Sequence, residues 1–136
     1  MPDAFAGLPN LTKLTLSMCR INNTNIRVNV FNISTLKYLD LSDNDFSDIP
    51  KKLFTQTSRL EIIKLTDVKY EGNWTSDMLP GALREFYFSP KGKATPAFTE
   101  EELFKKCCPN LEAISIQGSR FPNDDLSIFN GLQKLR

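Results

Sequence analysis

The chain has 136 residues, with 17 basic and 16 acidic side chains, no histidine and three cysteines. Near-neutral charge without a long basic face argues against a nucleic-acid partner, and the missing histidine excludes histidine-based triads and histidine metal sites built from this chain alone. No apolar run approaches the eighteen or so residues of a membrane span. Residues 1–10 carry neither the basic nor the apolar region of a signal peptide. They suit instead the back of a repeat that feeds Phe5 and Leu8 into a core.

From residue 11 onward, apolar side chains recur at places one, four and six of short segments. The first unit has Leu11, Leu14 and Leu16; the second Leu36, Leu39 and Leu41; the third Leu60, Ile63 and Leu65; the fourth Leu83, Phe86 and Phe88; the fifth Leu111, Ile114 and Ile116. Leu132 and Leu135 open a sixth, and the intervals between successive starts are 25, 24, 23, 28 and 21 residues. Places four and six alternate with place five as in a strand, so two side chains point inward and one outward. A single unit cannot bury its apolar residues alone, whereas strands stacked about 4.8 Å apart close a continuous core. The pattern predicts one solenoid over residues 1–136. Because no polar cap is visible over either end, we expect a segment of a longer solenoid, the other reading being a complete small protein with degenerate end repeats.

The second unit, Leu36-Lys-Tyr-Leu39-Asp-Leu41-Ser-Asp-Asn44, continuing through Phe46, Ile49, Pro50, Leu53 and Phe54, resembles the repeat of leucine-rich repeat proteins. The resemblance implies an α/β repeat fold, with a curved parallel sheet on the concave face and short helices or turns on the convex face. It also implies that Asn44 joins an asparagine ladder, while Ile49, Leu53 and Phe54 fill the core. Cys19, Val68, Lys91 and Ser119 stand at the ladder place in the other units, so the turn at Val68 must satisfy its backbone differently. The second unit is most similar to the extracellular type found in Toll-like receptors. The stretch from Glu102 through Cys107-Cys108-Pro109 to Ile116 is similar instead to intracellular cysteine-containing repeats of F-box adaptors. Thr99 and Glu102 match a capping box, which predicts a helix over residues 100–107.

Asp40, Asp43, Asp45 and Asp48 lack the glycine and terminal glutamate of a calcium loop and read as turn residues bonding local backbone. Lys91-Gly92-Lys93 is not a phosphate-binding loop, and neither Cys107 nor Cys108 has a signalled general base. No catalytic residue, metal or cofactor is expected. Cys19 and Cys108 lie about four strand spacings apart, roughly 19 Å, too far to pair, so no disulfide is expected within the chain. Four sequons, at Asn10, Asn22, Asn32 and Asn73, fall outside the strand segments and point to an extracellular or cell-surface location, with a cytoplasmic one as the alternative.

An open sheet without a lid suits gripping a protein or other large ligand and is poor at excluding water for chemistry. The expected partner surface is therefore the outward places three and five, centred on Tyr38, Ile62 and Tyr87 and flanked by Asp40, Lys64 and Glu85. The segment 89–96, which lengthens the fourth unit, is a second candidate as an edge loop. The other possibility is that these are ordinary solvated residues of spacer repeats.

Overall fold

The structure, a computed structural model, describes residues 10–22, 33–46, 49–50, 52–55, 57–70, 72–92, 96–98, 100, 102–119 and 132. Five parallel strands form the main sheet: β1 (Lys13–Thr15), β2 (Tyr38–Asp40), β3 (Ile62–Val68), β5 (Glu85–Pro90) and β7 (Ala113–Ile116). Their spatial order is their order in the chain. A second, two-stranded parallel sheet pairs β4 (Asn73–Trp74) with β6 (Ala97–Phe98). The helices are short: α1 (Lys52–Thr55), α2 (Leu103–Cys107) and a 3-10 turn over Ser76–Met78. The chain is thus the predicted α/β repeat solenoid, and among the described residues no helix is long and apolar enough to cross a membrane.

Places one, four and six are fully buried in the second, third and fourth units, from Leu36, Leu39 and Leu41 to Leu83, Phe86 and Phe88. The corresponding residues of β1 and Ile114 and Ile116 of β7 are half-buried, each strand having a neighbour on one side only among the described residues. Behind β3 and β5 the core is aromatic. Trp74 packs edge-on against Tyr70, Phe86 and Phe88 and stacks with Phe98, with ring centroids 5.2–6.1 Å apart. Ile49, Leu53 and Phe54 are buried as expected. Phe5, Leu8 and Leu135 lie outside the described residues, and Leu132 packs half-buried against the core.

Each strand must turn sharply to leave the sheet. Two residues after place six the backbone is left-handed at Met18, Asp43, Asp67 and Gly118, with φ between 55° and 61°. In the fourth unit that place is Pro90, whose ring holds φ near −65° and forbids the turn. β5 therefore runs on to Pro90, and the left-handed residue moves to Gly92, φ 70°. This accounts for part of the long fourth unit. Ser89 and Pro90, expected in an edge loop, are strand residues, and Pro96 is buried beside β6. Residues 93–95 lie outside the described set.

Asn44, 1% exposed, closes the first two units together. Its Oδ1 accepts from the amides of Cys19 (3.1 Å) and Ile21 (2.9 Å), and its Nδ2 donates to the carbonyls of Leu16, Leu41 and Ser42. Beyond it, hydroxyls take over. Ser42 Oγ accepts from the Thr66 amide and hydroxyl, and Ser89 Oγ accepts from the Asp67 amide. The Val68 carbonyl is satisfied by the amides of Lys91 and Tyr70. Sequence reading missed this serine–threonine series, whose signal is a hydroxyl residue directly after place six.

Two expectations need correction. The capping box does not form, because Glu102 is itself left-handed (φ 53°) and makes no side-chain cap; α2 begins at Leu103, and Thr99 lies outside the described residues. A disulfide is present, joining the adjacent Cys107 and Cys108. The distance argument excluded only the Cys19 pairing; neighbouring residues, Cα atoms 3.8 Å apart, already lie within reach. Cys19 is free and exposed.

Asn44→Ala strands the amides of Cys19 and Ile21 and the Leu16 carbonyl. We expect a loss of about 3 kcal/mol, since each buried unsatisfied group costs about 1–3 kcal/mol. Urea unfolding measures the loss, and hydrogen exchange should speed up first at the Cys19 and Ile21 amides. On alkylation before reduction, Cys19 alone should be labelled; because Cys108 is buried, reduction in denaturant is the step after which mass spectrometry should find Cys107 and Cys108 newly reactive.

Candidate functional site

The register of the five strands assembles the outward residues into two rows. Place three aligns Lys13, Tyr38, Ile62, Glu85 and Ala113; place five aligns Thr15, Asp40, Lys64, Tyr87 and Ser115. Parallel strands give this alignment because the backbone amides of each unit bond the carbonyls of the unit before it, with Glu61 and Ile62 both donating to Lys37, for example. All six expected residues, Tyr38, Asp40, Ile62, Lys64, Glu85 and Tyr87, thus lie on one face, each half-buried among its neighbours.

Their arrangement differs from an apolar centre with a charged rim. Lys64 lies between the two tyrosines, its Nζ 5.5 Å from the Tyr38 ring centroid and 5.4 Å from that of Tyr87. Lys13 Nζ is 4.5 Å from the Tyr38 ring centroid. The negative faces of the rings attract both ammonium groups, so the centre of the patch is a lysine–tyrosine column. Lys13, one of the outward residues expected at place three, belongs to it as well, beyond the six at the centre of the expected patch. Its signal was a cation at place three of the unit next to Tyr38.

The carboxylates of this face are engaged within the chain. Asp40 Oδ1 accepts from the Ser42 amide (3.0 Å). The Tyr87 hydroxyl donates to Glu85 Oε1 at 2.5 Å. That bond to the carboxylate, aided by burial, holds the Tyr87 phenol above the ordinary tyrosine pKa, because the neutral phenol is the form that donates.

A separate groove of about 460 Å³ opens where the strands begin, away from this face. Its wall is a charge ladder at place two that sequence reading missed: Lys37, Glu61, Arg84 and Glu112. Arg84 bonds Glu112 at 2.6 Å and Glu61 at 3.1 Å, and Lys37 reaches Glu61 at 4.0 Å. The Glu112 bond first, then that to Glu61, raises the Arg84 pKa. Exposed ladders of this kind add little stability but favour one register, since a slip separates the opposite charges.

Of the sequon asparagines, Asn10 is exposed in the turn before β1, Asn22 is half-buried and bridges to Asp45, and Asn73 is exposed on the second sheet. None of these three lies on the main sheet, and Asn32 lies outside the described residues. In the 89–96 segment, Lys91 pairs with Asp45 at 3.4 Å. That pair, the Asp40 bond and the left-handed turn at Asp43 account for three of the four clustered aspartates; Asp48 is outside the described set.

The model of the Leucine Rich Repeat family matches residues 35–56, the stretch that runs from before β2 through α1. Keratocan of Danio rerio is 31% identical over 89 residues, covering 65% of this chain and 24% of keratocan. The match therefore spans about a quarter of that relative's length.

The Glu85–Tyr87 bond makes a signed prediction. Its contribution to stability is complete below the free-tyrosine pKa of about 10 and is lost as pH rises through the raised value. Ring-carbon NMR titration should find Tyr87 ionising above free tyrosine, and Glu85→Gln should bring that midpoint down.

Proposed function

We propose that this chain, a leucine-rich repeat protein, is part of an extracellular recognition scaffold that engages a protein or large ligand through the concave face of its sheet. The observation that carries the reading is the assembled patch: two tyrosines, an isoleucine and two lysines side by side on an open sheet. Aromatic residues with polar surrounds are the usual makeup of an energetic centre in an interface. The role is binding and not catalysis, because an uncovered sheet does not exclude water from reacting groups.

Three features support the extracellular placement. The sequons at Asn10 and Asn73 are exposed and leave the sheet face uncovered. The Cys107–Cys108 disulfide suits an oxidising compartment. The second unit, which the family model matches, has the Ile49-Pro50 and Leu53-Phe54 pattern read above as the Toll-like-receptor type. On this reading the protein belongs to a receptor ectodomain with a signalling or innate-immune role. The intracellular adaptor reading rested on the likeness of the stretch from Glu102 to Ile116 to cysteine-containing repeats with a helix on the back; α2 has five residues and ends at a disulfide-bonded cysteine.

Replacing Tyr38 and Tyr87 together with Ala should weaken capture of the partner at least tenfold while circular dichroism stays unchanged; unaltered capture would leave these units as spacers. After expression through a secretory pathway, mass spectrometry should find glycans at Asn10 and Asn73. Unmodified asparagine at both would count against the extracellular placement.

A further inference from the structure

We infer that the sheet face docks an acidic segment of a protein partner, with carboxylates of that segment pairing with Lys13 and Lys64. The inference deepens the recognition reading above and rests on it. Lys37, Arg84, Lys91 and Lys106 each have a carboxylate within ion-pair distance. Lys13 and Lys64 have none among the described residues; their ammonium groups lie over the rings of Tyr38 and Tyr87. The two carboxylates that share the face are engaged by a backbone amide at Asp40 and a phenol at Glu85. Both carboxylates keep their charge, but each already accepts a bond within the chain, whereas the two ammonium groups have no carboxylate within ion-pair distance among the described residues and are held in place by ring contacts, so little further freedom is lost when they bind an acid.

The choice of a polypeptide follows from the sequence of charges across the sheet. Lys13, Asp40, Lys64 and Glu85 lie on successive strands about 4.8 Å apart and alternate in sign, Lys13 and Glu85 in the place-three row and Asp40 and Lys64 in the place-five row. A sulfated polysaccharide, charged at every step, would meet Asp40 and Glu85 as often as the lysines. A polypeptide can place isolated carboxylates over the lysines and neutral residues between them. Both ammonium groups lie over Tyr38, so they are no more than about 10 Å apart. That is at most about three residues of an extended or polyproline-type segment at roughly 3.1–3.3 Å per residue. Tyr38, Ile62 and Tyr87 supply the apolar area that such a segment would cover.

The test is equilibrium binding of the full chain to short immobilised peptides that differ only in charge: two glutamates three residues apart, two lysines at the same places, or two glutamines. A heparin surface is run in parallel. We expect the glutamate peptide to be preferred, with affinity falling as salt is raised, and at least tenfold weaker binding by Lys13→Ala/Lys64→Ala. The control Lys105→Ala/Lys106→Ala should bind as the parent does. Lys64→Glu, which leaves the core untouched, should reverse the preference toward the lysine peptide. Glutamine or lysine peptides bound in preference by the parent, and lost only in Tyr38→Ala/Tyr87→Ala, would overturn the acidic partner and leave concave-face recognition standing. Tighter binding to heparin that depends on Lys13 and Lys64 would overturn the polypeptide. Peptide binding insensitive to every one of these sheet variants, or no binding to any peptide, would overturn both readings.

Discussion

The sheet face proposed for recognition depends on one constraint, the in-register lateral bonding of parallel strands from successive units. The amides of Lys37 and Tyr38 bond Thr12, those of Glu61 and Ile62 bond Lys37, those of Arg84 and Glu85 bond Glu61, and those of Glu112 and Ala113 bond Arg84. The same two places of each unit perform the same task, so any side chain at place three meets its counterpart one strand away. Burial enforces the register from below. A one-residue slip would carry Leu39, Ile63 and Phe86 out of a core in which each is fully buried and would place Tyr38, Ile62 and Glu85 within it. The charge ladder of Lys37, Glu61, Arg84 and Glu112 enforces it again at the edge.

Leaving the sheet poses the opposite problem, because the chain must turn while its backbone groups remain bonded. The protein solves it in two ways. Between the first two units a single amide side chain, Asn44, bonds both strand exits. Farther along, Ser42, Thr66 and Ser89 do so with hydroxyls, and β3 and β5 extend to satisfy the rest through backbone pairing. Pro90 shows how one residue resets the geometry: by refusing the left-handed place it prolongs its strand and shifts the turn to Gly92. The long fourth unit thus has a backbone cause as well as an added segment.

The strands of the main sheet, their order and the identity of the outward residues were legible in the sequence because period-two burial within a longer repeat leaves few alternatives; the second sheet of β4 and β6 was not. Tyr38, Lys64 and Tyr87 were placed on one face from spacing alone. Their mutual arrangement was not legible, since the position of Lys64 between two rings depends on side-chain rotamers and on diagonal neighbours across strands. The Cys107–Cys108 bond was missed because the distance test was applied only to Cys19. The helix start was misplaced because Thr99 and Glu102 fit a capping pattern, whereas Glu102 adopts a left-handed backbone that a capping residue at the third helical position does not have.

The lysine–tyrosine column is where register and packing meet on the face proposed for recognition, and it can be observed in solution without any partner. Rings on either side of Lys64 shield its side-chain protons, so NMR should find the Lys64 ε-methylene signals displaced upfield from those of the other lysines. Tyr38→Ala and Tyr87→Ala should each remove part of that displacement. Lys64 signals at the free-lysine position, unchanged by either substitution, would contradict the lysine–tyrosine column.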